Sequence, residues 1–306
     1  MIYLISQSNS HDLFERIMNE PDTNFEQIHC KKTRFANDEI AVNISESVRN
    51  KTIAIIAQPM DYEDNFELLM TIDAARRASA KEIIAVIPSL PHSRQERRPE
   101  GERTSISARL YASMLESAGL DRLITVDLHT TAIEGFYTIP VDNLTPFYDF
   151  VGVLQNVVAN VRNPILVSPD LGGMKRVKKF ASKLNLPMAF LNKERLRANE
   201  IEDMTLIGDV SDHNVIIIDD MIDTGGTILK SLELLYKSNA NSVRIMATHG
   251  IFSNDGLDKL INSDIMEVIV SNTLEQKQGT DWGYVGGKLK VVDVAPLIVG
   301  ALNKLM

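Results

Sequence analysis

Cysteine is almost absent: Cys30 is the only one in 306 residues, so an internal disulfide and a cysteine-built metal site are both excluded. A lone thiol fits a reducing compartment. No apolar run approaches the roughly 20 residues that a membrane-spanning helix needs, and the opening Met1-Ile-Tyr-Leu-Ile-Ser6 is too short for a secretory leader. The expected setting is the cytoplasm, with no membrane partner. Basic residues are outnumbered, 32 Lys and Arg against 41 Asp and Glu, for a formal net charge of −9. Nucleic-acid partners, which draw affinity from cationic surface, are therefore not expected. A Gly-x-x-x-x-Gly-Lys-Ser/Thr loop is also missing, which removes the P-loop nucleotide hydrolases from consideration.

What the chain does have is a regular alternation. Apolar runs at 53–57, 83–87, 123–126, 165–167, 215–218, 243–247 and 268–270 alternate with helical patterns, which predicts an α/β fold on mainly parallel sheets flanked by helices. A weak internal repeat is also present. Residues 52–57, a loop, a helix and 80–87 match 214–219, a loop, a helix and 241–246, so two similar domains are expected, about 1–146 and 147–306. The helical stretch 147–161, ended by Asn163-Pro164, is the expected hinge. The last helix, about 296–306, is expected to pack back on the N-terminal domain.

The second copy of the repeat carries the richest motif, Val215-Ile-Ile-Ile-Asp-Asp-Met-Ile-Asp-Thr-Gly-Gly-Thr227. Its first four residues suit a strand buried on both faces, and Leu229, Leu232, Leu235 and Tyr236 recur at helical spacing. Strand, loop and helix follow in that order. Gly225 and Gly226 allow a tight turn and close approach of a ligand, while Asp223, Thr224 and Thr227 place polar groups near the free amides of the helix start, where an anion fits. Asp219 and Asp220 then aim acceptors at whatever carries that anion, and vicinal ribose hydroxyls are their natural partner. A plain capped turn is the simpler alternative, but two acids plus Asp-Thr-Gly-Gly-Thr exceed what a cap needs. The first copy has Gln58-Pro-Met-Asp-Tyr-Glu-Asp-Asn65 at this position, without paired glycines, and is not expected to cradle phosphate.

Other clusters surround this motif in the sequence. Asp127-Leu128-His129 and Ser168-Pro169-Asp170 each close a predicted strand with polar groups at its carboxyl end, where open α/β sheets bind ligands. His129 and Asp170 together suit one Mg²⁺ completed by waters and phosphate oxygens. Arg94, Arg97, Arg98 and Arg103 crowd one loop, a candidate polyphosphate clamp because guanidinium forks fit phosphate oxygens. A second cationic stretch, Asn192-Lys193-Glu-Arg195-Leu-Arg197, follows a strand at 188–191 and lacks apolar periodicity, as a mobile lid does. For both runs, a solvated surface loop is the competing reading.

With these pieces in order, the chain resembles the ribose-phosphate pyrophosphokinases, the synthetases of phosphoribosyl pyrophosphate. The resemblance covers nearly the whole length. Besides the motif above, it rests on Arg34-Phe-Ala-Asn-Asp-Glu39, Ser45-Glu-Ser-Val-Arg49, Arg94-Gln95, Ile106-Ser-Ala108, Asp127-Leu-His129, Gly135-Phe136, Pro140-Val-Asp-Asn143, Ser168-Pro-Asp-Leu-Gly-Gly173 and Ile207-Gly-Asp-Val210. It implies two phosphoribosyltransferase-like domains and transfer of the diphosphate of ATP to O1 of ribose 5-phosphate, releasing AMP. It further implies that Asp223, Thr224, Gly225, Gly226 and Thr227 hold the 5-phosphate and that Asp219 and Asp220 bind the ribose hydroxyls. His129 and Asp170 serve Mg²⁺, and Arg94 and Gln95 contact ATP. Phe35, Asn37 and Glu39 match adenine-binding residues that reach the active site from a neighbouring subunit, so a homo-oligomer is implied, usually a hexamer built from dimers. Lys193 and Arg195 match the catalytic loop, with His129 beside them as a catalytic candidate.

The match has departures. Glu96 stands where Asp is common, Ala132 and Glu134 replace glutamines, and 276–287 with Trp282 is unlike the family's charged segment. Ser47, Arg49 and Arg103 match a regulatory phosphate and ADP site, but the sequence stops at Lys304-Leu-Met306 without the serine-rich tail, so weakened phosphate activation and ADP allostery are expected. Two rival functions remain: a phosphoribosyltransferase that consumes the activated sugar, and a catalytically inactive regulatory relative. The ATP-side residues and doubled domain weigh against the first, and the presence of Lys193, Arg195, His129 and Asp170 against the second.

Overall fold

The computed structural model describes residues 1–21, 23–194, 203–275 and 287–306. The chain divides into two units which, among the described residues, are 1–145 with 273–275 and 293–306, and 146–272 with 287–292. It first passes from one unit to the other at Thr145–Pro146, ahead of the stretch 147–161 that the sequence marks as the hinge.

In the first unit, β1 (Ile2–Ser6), α1 (His11–Asn19) and β2 (Phe25–Gln27) are followed by a hairpin of β3 (Cys30–Arg34) and β4 (Ile40–Ile44). Then come β5 (Thr52–Ile56), α2 (Tyr62–Arg77), β6 (Glu82–Val86), α3 (Ser107–Ala118), β7 (Arg122–Val126) and β8 (Val141–Leu144). The six-stranded sheet has the order β2-β1-β5-β6-β7-β8 and is parallel throughout. Strands of this kind are covered on both faces, which explains their unbroken apolar runs. Ile53, Ile55, Ile83 and Ala85 pack with Leu68, Ile72 and Leu115 of α2 and α3, while Ala54, Ile56, Ile84 and Val86 turn to the other face with Leu13 and Ile17 of α1. Helix α2 starts at Asp61, whose carboxylate accepts the Asp64 amide, and has acids in its first turn and arginines in its last, as the helix dipole favours.

The second unit runs α4 (Phe147–Ala159), β9 (Pro164–Ser168), α5 (Met174–Leu184), β10 (Met188–Glu194), β11 (Asp203–Ile207), β12 (Asn214–Ile222), α6 (Gly226–Lys237), β13 (Ser242–Gly250), α7 (Gly256–Ile261), β14 (Glu267–Ser271) and β15 (Leu289–Val292). Its sheet order is β11-β10-β9-β12-β13-β14-β15; among the described residues β10–β11 is the one antiparallel strand pair and the others are parallel. The stretch 147–161 is therefore not a connector, because Phe147, Phe150 and Leu154 of α4 pack with Phe180, Leu166 and Ile216. Helices α6 and α7 cover the opposite face through Leu232, Leu235 and Leu260.

The last helix, α8 (Ala295–Asn303), belongs to the first unit. Its Ala295, Ile298 and Leu302 bury against Leu13, Ile17 and Ile124, and Arg16 of α1 pairs with Asp293 at 3.2 Å. No helix among the described residues is long and apolar enough to cross a membrane.

Candidate active site

In the second unit the chain leaves β9 toward β10 on one side, and β12 lies on the other. Such a switch point opens a crevice beyond the carboxyl ends of the two strands. Asp170 follows β9, Asp219 and Asp220 follow the apolar run of β12, and the loop 223–227 comes next. Four groups predicted from sequence therefore sit at one edge of one sheet.

Each is fixed locally. Asp170 folds back so that its Oδ1 accepts the Gly173 amide at 2.8 Å, and Ser168 Oγ donates to the Asp170 carbonyl at 2.7 Å. A Cβ at Gly173 would lie 2.8 Å from Ser168 Oγ, so this turn needs glycine. Asp219 Oδ1 accepts the Asp220 amide at 2.8 Å, and the Asp220 side chain is buried. Loss of solvation, then the negative charge of Asp220 and of Asp170, holds the Asp219 carboxyl well above the usual carboxylate range. That shift reports three acids gathered at one edge, an arrangement that invites a cation or hydroxyl donors.

Gly225 has φ +75°, and a Cβ there would meet Leu260 Cγ at 3.2 Å as well as carry left-handed strain. As the N-cap of α6 it offers no side-chain hydrogen bond. Thr224 Oγ1 takes the Gly226 amide only at 3.5 Å, and Leu229 donates to the Gly225 carbonyl at 2.9 Å. The first-turn amides have no intrahelical acceptor, and the positive end of the helix dipole there favours an anion. Below this loop lies Gly256 of α7, where a Cβ would come within 2.6 Å of the Asp223 carbonyl oxygen.

The first unit carries the other candidates. Asp127 adopts φ +49° at the end of β7 and His129 is exposed just beyond it. Asn143 of β8 braces this turn: its Oδ1 accepts the Leu128 amide at 3.2 Å and its Nδ2 donates to Glu134 at 2.9 Å. Arg94 and Gln95 are exposed on the loop after β6. The Gln95 amide donates to the His92 carbonyl at 2.9 Å, Ala108 of α3 donates to the Gln95 carbonyl at 3.3 Å, and the His92 ring lies 5.7 Å from that of Tyr111. Phe35, Asn37 and Glu39 cluster at the tip of the β3–β4 hairpin, closed by the Phe35 amide on the Glu39 carbonyl at 2.8 Å and by the Glu39 amide on Asn37 Oδ1 at 3.3 Å. Phe35 is 53 % exposed, so it is no core phenylalanine. Beside the tip is a cleft of about 460 Å³ lined by Asp38, Glu39, Ile40, Glu63 and Phe66. Ser47 and Arg49 are exposed on either side of buried Val48, and Arg103 is exposed in the arginine-rich loop.

Lys193 lies on β10, opposite Met204 of β11. The expected strand 188–191 is thus longer, because an antiparallel partner carries it to Glu194. Arg195 lies outside the described residues, as do Trp282 and most of 276–287. Sequence reasoning picked out Asn143 only as part of a matching segment, without its bracing role, and missed Gly256 and the hairpin itself. Among the described residues no three His, Cys, Asp or Glu side chains are grouped so as to hold a metal by themselves.

Comparisons with known proteins give one answer. The family model for the N-terminal domain of ribose phosphate pyrophosphokinase matches residues 2–119, and that for the phosphoribosyl synthetase-associated domain matches 192–306. The crystal structure of phosphoribosylpyrophosphate synthetase from Mycobacterium smegmatis is 34% identical, covers 99% of this chain and 98% of its own, and superposes with a TM-score of 0.90. Adenine phosphoribosyltransferase from Saccharomyces cerevisiae, 22% identical, covers 39% of this chain and 74% of its own at a TM-score of 0.32.

Proposed function

From the premise that the chain belongs to the ribose phosphate pyrophosphokinase family, and so makes phosphoribosyl pyrophosphate from ribose 5-phosphate and ATP, we propose how its residues divide that work. The reaction feeds nucleotide biosynthesis. O1 of ribose 5-phosphate attacks the β-phosphorus, the O1–Pβ bond forms, the bond from Pβ to the α-phosphate oxygen breaks, and AMP leaves with that oxygen. The hydroxyl proton of O1 is released to water. No covalent enzyme intermediate is required, so positioning and charge stabilisation carry the rate.

The acceptor sugar binds in the second unit. The loop Asp223, Thr224, Gly225, Gly226 and Thr227 takes the 5-phosphate on the amides that open α6, and Asp219 and Asp220 accept from the ribose hydroxyls. One observation carries this reading: a helix start without side-chain capping from its N-cap, shaped by Gly225 and adjoining an acid pair at the sheet's switch point. ATP is held by Arg94 and Gln95 and, from a neighbouring copy, by Phe35, Asn37 and Glu39. Lys193 and Arg195 stabilise the charge that builds on the transferring diphosphate. Ser47, Arg49 and Arg103 contribute to a regulatory anion site.

Mg²⁺ is the proposed cofactor, with His129 and Asp170 as its protein ligands. The donors fit a hard cation, since Asp170 offers carboxylate oxygen and no three-ligand cage is needed when phosphate oxygens and water complete the shell. Bound there, it neutralises diphosphate charge. The working form is a homo-oligomer, a hexamer built from dimers. Supporting this, Ile106, Leu110 and Met114 are 39 %, 57 % and 41 % exposed at four-residue spacing, and Tyr62 and Phe66 of α2 are 85 % and 56 % exposed, an apolar face suited to another copy. The cytoplasm, where a lone thiol such as Cys30 stays reduced, is the proposed location.

The test is AMP release from ATP with and without ribose 5-phosphate. Sugar-dependent AMP in step with the activated sugar supports the assignment. ADP as the nucleotide product, or AMP regardless of sugar, opposes it.

A further inference from the structure

Among the described residues, the β3–β4 hairpin pairs with neither large sheet. A two-stranded ribbon is marginal by itself, so its docking must come from elsewhere. Helix α2 supplies it. Glu63, Glu67 and Thr71 recur every fourth residue and share one face of α2, while Cys30, Lys32 and Arg34 alternate along one face of β3. The two rows mesh in order. Cys30 Sγ lies 3.9 Å from Thr71 Oγ1, Lys32 Nζ lies 2.8 Å from Glu67 Oε2 and 3.2 Å from Glu63 Oε1, and Arg34 pairs with Glu63 Oε2.

The inner end of this zipper is anchored. Glu67 is only 4 % exposed, and its Oε1 accepts both the Ser8 amide at 3.1 Å and the Ser8 hydroxyl at 2.7 Å beyond β1. The outer end reaches the tip. Glu63 lines the cleft beside Glu39, and Arg34, next to Phe35, also donates to the Asp38 carbonyl at 3.4 Å. Burial lowers the Lys32 pKa, but the hydrogen bonds and charges of Glu67 and Glu63 outweigh it and raise the net value, so Lys32 keeps its charge at neutral pH. Isolated surface pairs stabilise little, whereas this set is tied to a buried carboxylate with three donors.

We propose that Glu63, Lys32 and Arg34, anchored by Glu67, are positioning residues that fix the angle at which the hairpin presents Phe35, Asn37 and Glu39 to the purine. This rests on the reading that those three residues bind ATP. They touch no substrate themselves; they hold the strand that ends in the residues that do.

Steady-state kinetics on the full-length oligomer test the inference. Glu63→Gln removes the shared acceptor of both cations and is expected to raise KM for ATP about three- to tenfold, with kcat and KM for ribose 5-phosphate within about twofold. Glu63→Asp, which keeps the charge, should recover most of the loss. Lys32→Met should act in the same direction and decides the matter if Glu63→Gln does not fold. Phe35→Ala is measured in parallel. If it raises KM for ATP while Glu63→Gln and Lys32→Met do not, the positioning role is overturned and the ATP reading stands. If none of the three changes KM for ATP, both are overturned. A uniform fall in kcat and in affinity for both substrates, tracking a lower Tm, would mark a merely structural zipper and also overturn the inference.

Discussion

Gly256→Ala is the sharpest probe of how the acceptor loop is held. Gly256 is buried at the start of α7 and lies behind the loop, so a change there removes no ligand contact. Its backbone has no positive φ, so alanine brings no conformational strain, only a methyl group. That methyl would stand 2.6 Å from the Asp223 carbonyl oxygen, 3.1 Å from the Thr224 carbonyl carbon and 3.2 Å from the Thr224 oxygen. Ordinary contact begins near 3.4 Å, so something must move by about 0.8 Å. Helix α7 is pinned by the fully buried Leu260, whereas Thr224 is exposed; the loop yields. A displacement near 1 Å costs up to ~10²-fold in rate, so kcat/KM for ribose 5-phosphate should fall about 10- to 100-fold. Initial rates with each substrate varied in turn provide the assay, with KM for ATP expected to stay within about twofold. A correctly folded Gly256→Ala enzyme with unaltered kcat/KM for the sugar would refute the reasoning.

Three further outcomes are expected. Because Asp219 has its pKa raised on folding, the folded state binds its proton more tightly and loses stability as pH rises from the unfolded value of about 4 through the folded one. The Tm gain of Asp219→Asn over wild type, measured with EDTA and without substrates, should therefore be absent near pH 3–4 and grow toward neutrality; a gain that shrinks with pH contradicts this. Asn143→Ala leaves the Leu128 amide without its acceptor, which should cost about 1–2 kcal/mol and, by loosening the turn before His129, lower kcat several-fold. A lower Tm with unchanged kcat would deny the bracing role. Lys193→Ala should reduce kcat about 10²- to 10³-fold with a smaller change in substrate affinity, and single-turnover rates that match wild type would rule the role out.

The acceptor segment was legible because its physics is local. A strand covered on both faces must read Val215-Ile-Ile-Ile218, a tight turn into a helix must use glycine, and the periodic leucines of α6 follow directly. The hairpin was not legible, since Cys30-Lys-Lys-Thr-Arg34 has no apolar alternation and its partner α2 lies about thirty residues on. Only the tertiary fold aligns every fourth residue of a helix with every second residue of a strand. Glu134 shows the same limit from the other side. It stands out in sequence as a departure from glutamine, yet its contact is a donated hydrogen bond from Asn143 Nδ2, which a carboxylate or an amide oxygen accepts equally well. The stretch 147–161 misled as a hinge because an apolar helix before Asn-Pro looks like a connector until its packing against Leu166 and Phe180 is seen. Gly256 carries no motif at all; its meaning comes from a neighbour more than thirty residues away.

The central claim is that the sugar phosphate binds at the loop that opens α6. Amide NMR shifts followed during titration with ribose 5-phosphate, and with ribose as the phosphate-free control, test this most directly. Saturable shifts at Thr224 through Ile228 with the phosphorylated sugar and not with ribose are the predicted result. Saturable binding that leaves those five amides unmoved and perturbs another part of the chain would contradict it.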